Sequence, residues 1–192
     1  MDRRLYSFLM GTAIALTAAW VGWSFYDSFL GENTPGDLAY HAANRLFEDG
    51  EYARALEEYE AALEKNRRHL YALRGKARTL MQLERYEESL TAFNEAVRAD
   101  PDFGATYANR GILHDRMGRY RAAIADYEHA LRLDQELADG PNWLTRFLRL
   151  QPEKPPTIED RAAYLRAQLA KPEGERVLRV PELDRQQRPY KM

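Results

Sequence analysis

Arg74 and Arg78 stand four residues apart, one helical turn, so their side chains leave the same helix face. Two guanidinium groups in that arrangement are able to hold a carboxylate or the carbonyls of a peptide backbone. The alternative is that both pair with nearby acids such as Glu48 or Asp115 and solvate the surface. Other reactive types point away from catalysis. The four histidines, His41, His69, His114 and His129, offer no i, i+4 pair with a third ligand beside it. Glu57-Glu58 and Glu87-Glu88 fall on outer helix faces, where charge serves solvation. Cysteine is absent, which removes a thiolate nucleophile, a disulfide framework and a cysteine-bound metal. No phosphate loop or nucleophile elbow occurs, so neither an enzyme nor a cofactor is expected.

The elements that carry these residues repeat. Gly50, Tyr52, Ala55, Tyr59 and Ala62 recur as Glu84, Tyr86, Ser89, Phe93 and Ala96, then as Gly118, Tyr120, Ala123, Tyr127 and Ala130, each copy 34 residues after the last. Within the first copy, Ala39, Ala42, Ala43 and Leu46 share one helix face, Asp49-Gly50-Glu51 turns the chain, and Ala55, Leu56, Tyr59, Ala62 and Leu63 line a second helix. Ala43, Ala77 and Gly111 are small where paired helices must touch. Tyr52, Tyr86 and Tyr120, with Tyr59, Phe93 and Tyr127, supply bulk between units. Pro101 falls at a helix boundary, where its missing N–H is tolerated. Such units cannot bury their apolar faces alone, and they stack into a solenoid.

These residues resemble the tetratricopeptide repeat family over residues 36–137, in three units, 36–69, 70–103 and 104–137. The chain departs from the family pattern where Ala39 and Leu73 replace an aromatic kept as Tyr107, and where Arg67 and Gln135 replace the inter-unit proline. The resemblance implies an all-α helical solenoid with a concave groove lined by the first helix of each repeat. By equivalence that groove is lined by Asp37, Tyr40, Asn44 and Phe47, then Tyr71, Arg74, Arg78 and Met81, then Ala105, Ala108, Ile112 and Asp115. Its implied ligand is a protein or peptide. Some members clamp the acidic carboxyl end of heat-shock chaperones with two lysines, an arginine and two asparagines. Here Asn44 matches one asparagine, but Tyr40, Gly75, Ala105 and Asn109 stand at the other positions, so that specific activity is not expected.

From Leu5 to Tyr26 no side chain is charged, and about 22 helical residues at roughly 1.5 Å each reach across the ~30 Å hydrocarbon layer of a bilayer. Arg3 and Arg4 precede this stretch, whereas Asp27, Glu32 and Asp37 follow it before the first basic residue, Arg45. The charge bias predicts a single-pass anchor with its amino end in the cytoplasm. Trp20, Trp23 and Tyr26 at one end and Tyr6 at the other suit the headgroup boundaries. A signal peptide cleaved after Thr17-Ala18-Ala19 is the competing reading, but it leaves Trp20 to Tyr26 as an exposed apolar end. Gly11, Ala15 and Ala19 also form a small-residue ridge. On this reading residues 1–30 are the cytoplasmic end and transmembrane helix, 31–36 a linker, and the repeats lie in the periplasm of a bacterial inner membrane. A eukaryotic organelle receptor with a cytosolic repeat domain shares the layout.

Beyond the repeats, residues 138–170 are expected to cap the solenoid. Trp143, Leu144, Phe147 and Leu148 form one apolar face, and after Pro152, Pro155 and Pro156 a Thr157/Asp160 capping box starts a helix to about Ala170 with the stripe Ile158, Ala162, Leu165 and Leu169. Residues 171–192, interrupted by Pro172, Gly174, Pro181 and Pro189, read as an extended tail whose apolar knot is Val177, Leu178 and Val180. Net charge is only -2 and no basic face is concentrated, so no nucleic-acid partner is expected. The sequence reads as a membrane-anchored scaffold, assembly factor or chaperone-like adaptor that docks a polypeptide. The alternative is an accessory subunit of a larger membrane complex held through its membrane helix and tail.

Overall fold

A computed structural model describes residues 3–29, 34–140, 147, 150, 154–181 and 189–190. The chain divides into two units, Met1–Thr34 and Pro35–Met192. The first holds one helix, α1 (Arg3–Phe29). Its Ser7–Ser24 stretch is long and apolar enough to cross a bilayer, and that stretch is exposed along its whole length. Thr12 and Thr17 donate their hydroxyls to the carbonyls of Phe8 and Ala13 one turn back, so the helix satisfies these polar groups itself.

The second unit is all-α among its described residues. Its helices are α2 (Asp37–Glu48), α3 (Tyr52–Lys65), α4 (Leu70–Gln82), α5 (Tyr86–Ala99), α6 (Gly104–Arg116), α7 (Tyr120–Leu133) and α8 (Ile158–Leu169), with 3-10 turns at Gln135–Ala138 and Glu173–Glu175. Helices α2/α3, α4/α5 and α6/α7 pair as hairpins, and α3 with α4 and α5 with α6 join one hairpin to the next. The first helices α2, α4 and α6 therefore lie side by side.

The same residue types close each hairpin. Glu51, Arg85 and Arg119 donate their N–H groups to Leu46, Leu80 and His114, five residues back, across a residue with positive φ. That residue is Gly50 (φ 80°), Glu84 (φ 60°) or Gly118 (φ 72°). Second helices end alike, at Asn66, Asp100 and Asp134, all extended near φ -147°. Asn66 and Asp134 accept the N–H two residues on, at 3.0 Å each, and so turn the chain toward the next element.

Between the hairpins, Tyr59, Phe93 and Tyr127 are wholly buried, as are Ala62, Ala96 and Ala130. A Cβ on Gly75 would sit 2.2 Å from Cε1 of Tyr59, so only glycine admits the ring against α4. Gly111 takes the ring of Tyr127 in the same way, at 2.6 Å. Ser89, where the other repeats carry alanine, is buried at no loss because its Oγ donates to the Ala77 carbonyl at 2.7 Å.

The end of the stack is covered by α8. Thr157 and Asp160 form its capping box, and Ile158, Ala162 and Leu165 are buried in the apolar core of the third repeat, with Leu169 half-buried. Of the other expected cap, Trp143, Leu144 and Leu148 lie outside the described residues, and Phe147 is exposed. The knot of the tail docks on α8. Tyr164 donates its hydroxyl to the Val177 carbonyl at 2.7 Å, Val177 donates its N–H to Gln168 Oε1 at 3.0 Å, and Arg161 donates to the Leu178 carbonyl at 3.1 Å.

Candidate peptide-binding groove

On α2 and the start of α4 the groove is aromatic. The Tyr40 ring is tilted against His69 at 5.1 Å and against Tyr71 at 6.1 Å, and Tyr71 is more than half exposed. His69 caps α4. Its Nδ1 accepts the Ala72 N–H at 3.2 Å, which leaves the proton on Nε2, and Nε2 donates to Asp37 Oδ1 at 2.8 Å. This histidine ties the first two repeats together. Asn44 Oδ1 accepts the Tyr59 hydroxyl at 2.5 Å. Burial pushes the Tyr59 phenol up, opposed by the Arg78 charge beside it.

The two arginines separate in role. Arg74 is buried, donates to Asp100 Oδ2 at 2.6 Å and stacks with its Cζ 3.9 Å from the Phe103 ring centre, bracing α4 against the second helix of its own repeat. Arg78 lies over the Phe47 ring, at 4.6 Å, and donates through Nη1 to the main-chain carbonyl of Tyr190 at 3.1 Å. The two guanidinium groups, expected to hold one ligand together, thus have different partners within the chain. Asp100 lies at the end of α5 and neutralises the first cation before it reaches the groove.

Other expected lining residues are also reassigned. Met81, Ala108 and Ile112 have no exposed surface and belong to one contiguous apolar core, the one on which the Tyr190 ring packs. Asp115 is buried under α8, where it accepts two hydrogen bonds from Arg161, at 2.7 and 2.9 Å. On α6, Asp115 is thus taken by Arg161 of α8, and Asn109 by Tyr190 of the tail.

Asn109 is the polar group that sequence reasoning left out of the groove, although it stands at a position the family uses to clamp ligands. It is fully buried, and its carboxamide takes both main-chain groups of one residue. Oδ1 accepts the Tyr190 N–H at 2.7 Å, and Nδ2 donates to the Tyr190 carbonyl at 3.1 Å. The Tyr190 hydroxyl donates to the Leu137 carbonyl at 3.0 Å, and its ring packs on the core. Burial raises the phenol above its ordinary range, so it remains a donor at neutral pH. The only signal in sequence was an aromatic after Pro189 in a polar tail, and nothing local linked it to Asn109.

A stack of helical hairpins, with the main chain of Tyr190 held by Arg78 and Asn109 on its first helices, defines the class: a helical-repeat protein. Tetratricopeptide repeat models match residues 40–102 and 104–137, together about half of the chain, and the chain belongs to that family. The probable UDP-N-acetylglucosamine--peptide N-acetylglucosaminyltransferase SPINDLY of Arabidopsis thaliana is 35% identical over 101 residues, 53% of this chain and 11% of that protein. The Hsp70-Hsp90 organizing protein of Triticum aestivum is 27% identical over 100 residues, 50% of this chain and 17% of its own. The chain thus spans a tenth to a fifth of these relatives, and the shared part is the repeat region. Among solved structures, the first repeat domain of Spaghetti (RPAP3) bound to the HSP90 peptide SRMEEVD superposes with a TM-score of 0.58 at 16% identity, covering 72% of this chain and 97% of that one. The Arabidopsis OM64 repeat domain gives 0.52 at 19%, covering 61% and 93%. These structures share the fold.

Proposed function

We propose that this chain is a membrane-anchored tetratricopeptide protein that docks an extended polypeptide in its concave face, as a scaffold or assembly factor on the periplasmic side of a bacterial inner membrane. The observation that carries the docking is the grip of Arg78 and Asn109 on the Tyr190 main chain, which is how a groove holds an extended peptide whatever its sequence. The likeness to a repeat domain bound to an HSP90 peptide supports peptide as the ligand class. The absence of lysine or arginine at Tyr40, Gly75, Ala105 and Asn109 argues against an acidic carboxyl end as the ligand. Anchorage is supported by the apolar Ser7–Ser24 stretch and by the charges that flank α1. A short linker holds the domain near the bilayer and raises its effective concentration toward membrane-bound partners.

The test is a photo-crosslinking residue in place of the exposed Tyr71, in the full chain in its native membranes. Capture of one defined polypeptide, reduced by Arg78→Ala, is the expected result; capture that ignores Arg78→Ala puts the binding elsewhere. Retention in the pellet after carbonate extraction, and labelling of Asn33→Cys from the periplasmic side alone, test the anchor and its orientation.

The second reading is an accessory subunit of a membrane complex with its groove permanently filled, and the seating of Tyr190 on Asn109 favours it. Loss of complex retention on deleting residues 182–192, with no gain in peptide binding, supports this reading.

A further inference from the structure

The hydrogen bonds of Tyr190 run to three separate elements of the repeat domain. Its main chain is held by Asn109 on α6 and Arg78 on α4, and its hydroxyl by the Leu137 carbonyl after α7. None of these contacts is local, the two main-chain partners lying 81 and 112 residues away in sequence. The fully buried Asn109 carboxamide has no other hydrogen-bond partner among the described residues. A carboxamide that meets one N–H and one C=O of a single residue reads main chain, not side chain, and accepts any extended segment that follows the same path. Selectivity then falls to the slot beside Leu137, whose carbonyl takes a hydroxyl at the far end of an aromatic ring. The slot fits tyrosine and leaves that acceptor unmet by phenylalanine.

We infer that Tyr190 is a resident ligand of the groove, and that a partner's extended, tyrosine-bearing segment enters by displacing it. The inference rests on the peptide-docking reading above and adds the chemistry of the ligand and the state of the unbound protein. Because the tail is tethered, it competes at high effective concentration, and a free peptide meets a site that is mostly closed. Docking is thereby restricted to partners that bind more tightly than the tail or are themselves held close by.

A fluorescein-labelled peptide of residues 183–192 is titrated, by anisotropy, into the full chain in detergent micelles and into the same chain ending at Pro181. Saturable binding to the shortened chain is expected, with binding to the full chain at least about tenfold weaker. In the shortened chain Asn109→Ala is expected to weaken binding roughly tenfold, as does Tyr190→Phe in the peptide. Equal binding to both chains, or none to the shortened chain while its thermal unfolding remains cooperative, overturns the inference. If the shortened chain does not unfold cooperatively, a thrombin site inserted after Pro181 allows the folded full chain to be cut. Release of the fragment on dialysis, with rebinding of labelled peptide, supports displacement, and a fragment that never leaves refutes it. Capture of a partner that is unaffected by removing the tail defeats this inference and leaves the docking reading intact. Failure to capture any partner with the tail removed defeats the docking reading itself.

Discussion

Arg161 of α8 and Asp115 of α6 form a two-point ion pair, 2.7 and 2.9 Å, in which both side chains are buried. The pair bolts the capping helix to the third repeat, and Arg161 also reaches the Leu178 carbonyl, so one guanidinium joins repeat, cap and tail. Removing one partner strands a buried charge, at a cost of about 3–5 kcal/mol. Arg161→Met and Asp115→Leu are each expected to lower the urea midpoint sharply, while the double variant recovers most of the loss. A double variant as unstable as the sum of the singles disproves the pairing argument.

Glu84 carries a left-handed conformation, φ 60°, at the turn where the other two repeats use Gly50 and Gly118. A side chain there costs roughly 1–2 kcal/mol, which glycine avoids. Glu84→Gly is expected to stabilise the domain by about 1 kcal/mol, and Gly118→Ala to destabilise it by a similar amount. Both are read from chemical denaturation at neutral pH.

Gly75 gives the Tyr59 ring its place between α3 and α4. A methyl group at 2.2 Å forces the ring or the helix to move, and overpacking of this kind costs roughly 1–3 kcal/mol. Gly75→Ala is expected to lower the melting temperature, and Tyr59→Leu in the same chain to restore part of it, since the smaller side chain vacates the contact. Gly50→Ala, with open space around its Cβ, separates backbone cost from steric cost.

His114 replaces the leucines of the earlier repeats, Leu46 and Leu80, and burial holds its imidazole below the ordinary range. Asp126, 3.7 Å from Nε2, partly offsets this, while Arg110 and Arg119 add to it. A base with a depressed folded pKa binds fewer protons when folded. Its contribution is therefore complete above the unfolded value of about 6.5 and is lost as pH falls from there toward the folded value. The domain is expected to lose stability below about pH 6.5, and His114→Leu to flatten that part of the profile. A profile unchanged by the substitution assigns the acid sensitivity to other groups.

Much of this protein is legible in its residues because the information is local and repeated. The spacing of Tyr59, Phe93 and Tyr127, the small residues at Ala62, Ala96 and Ala130, and the turns at Gly50, Glu84 and Gly118 each depend on neighbours within one helical hairpin, and three copies reinforce one another. The Thr157/Asp160 cap was readable for the same reason, since its partners are three residues apart. The site was less legible. Equivalence between repeats placed Arg74 and Arg78 on one face, but could not say that Asp100 takes the first while the second reaches Tyr190. Nor could it say that Asp115 would be roofed by Arg161, 46 residues away. The grip of Asn109 on Tyr190 joins positions 81 residues apart with no periodic relation, which only the tertiary structure brings together. Side-chain periodicity determines which faces pack; the path of a tail without periodicity is decided by where buried donors and acceptors await a partner.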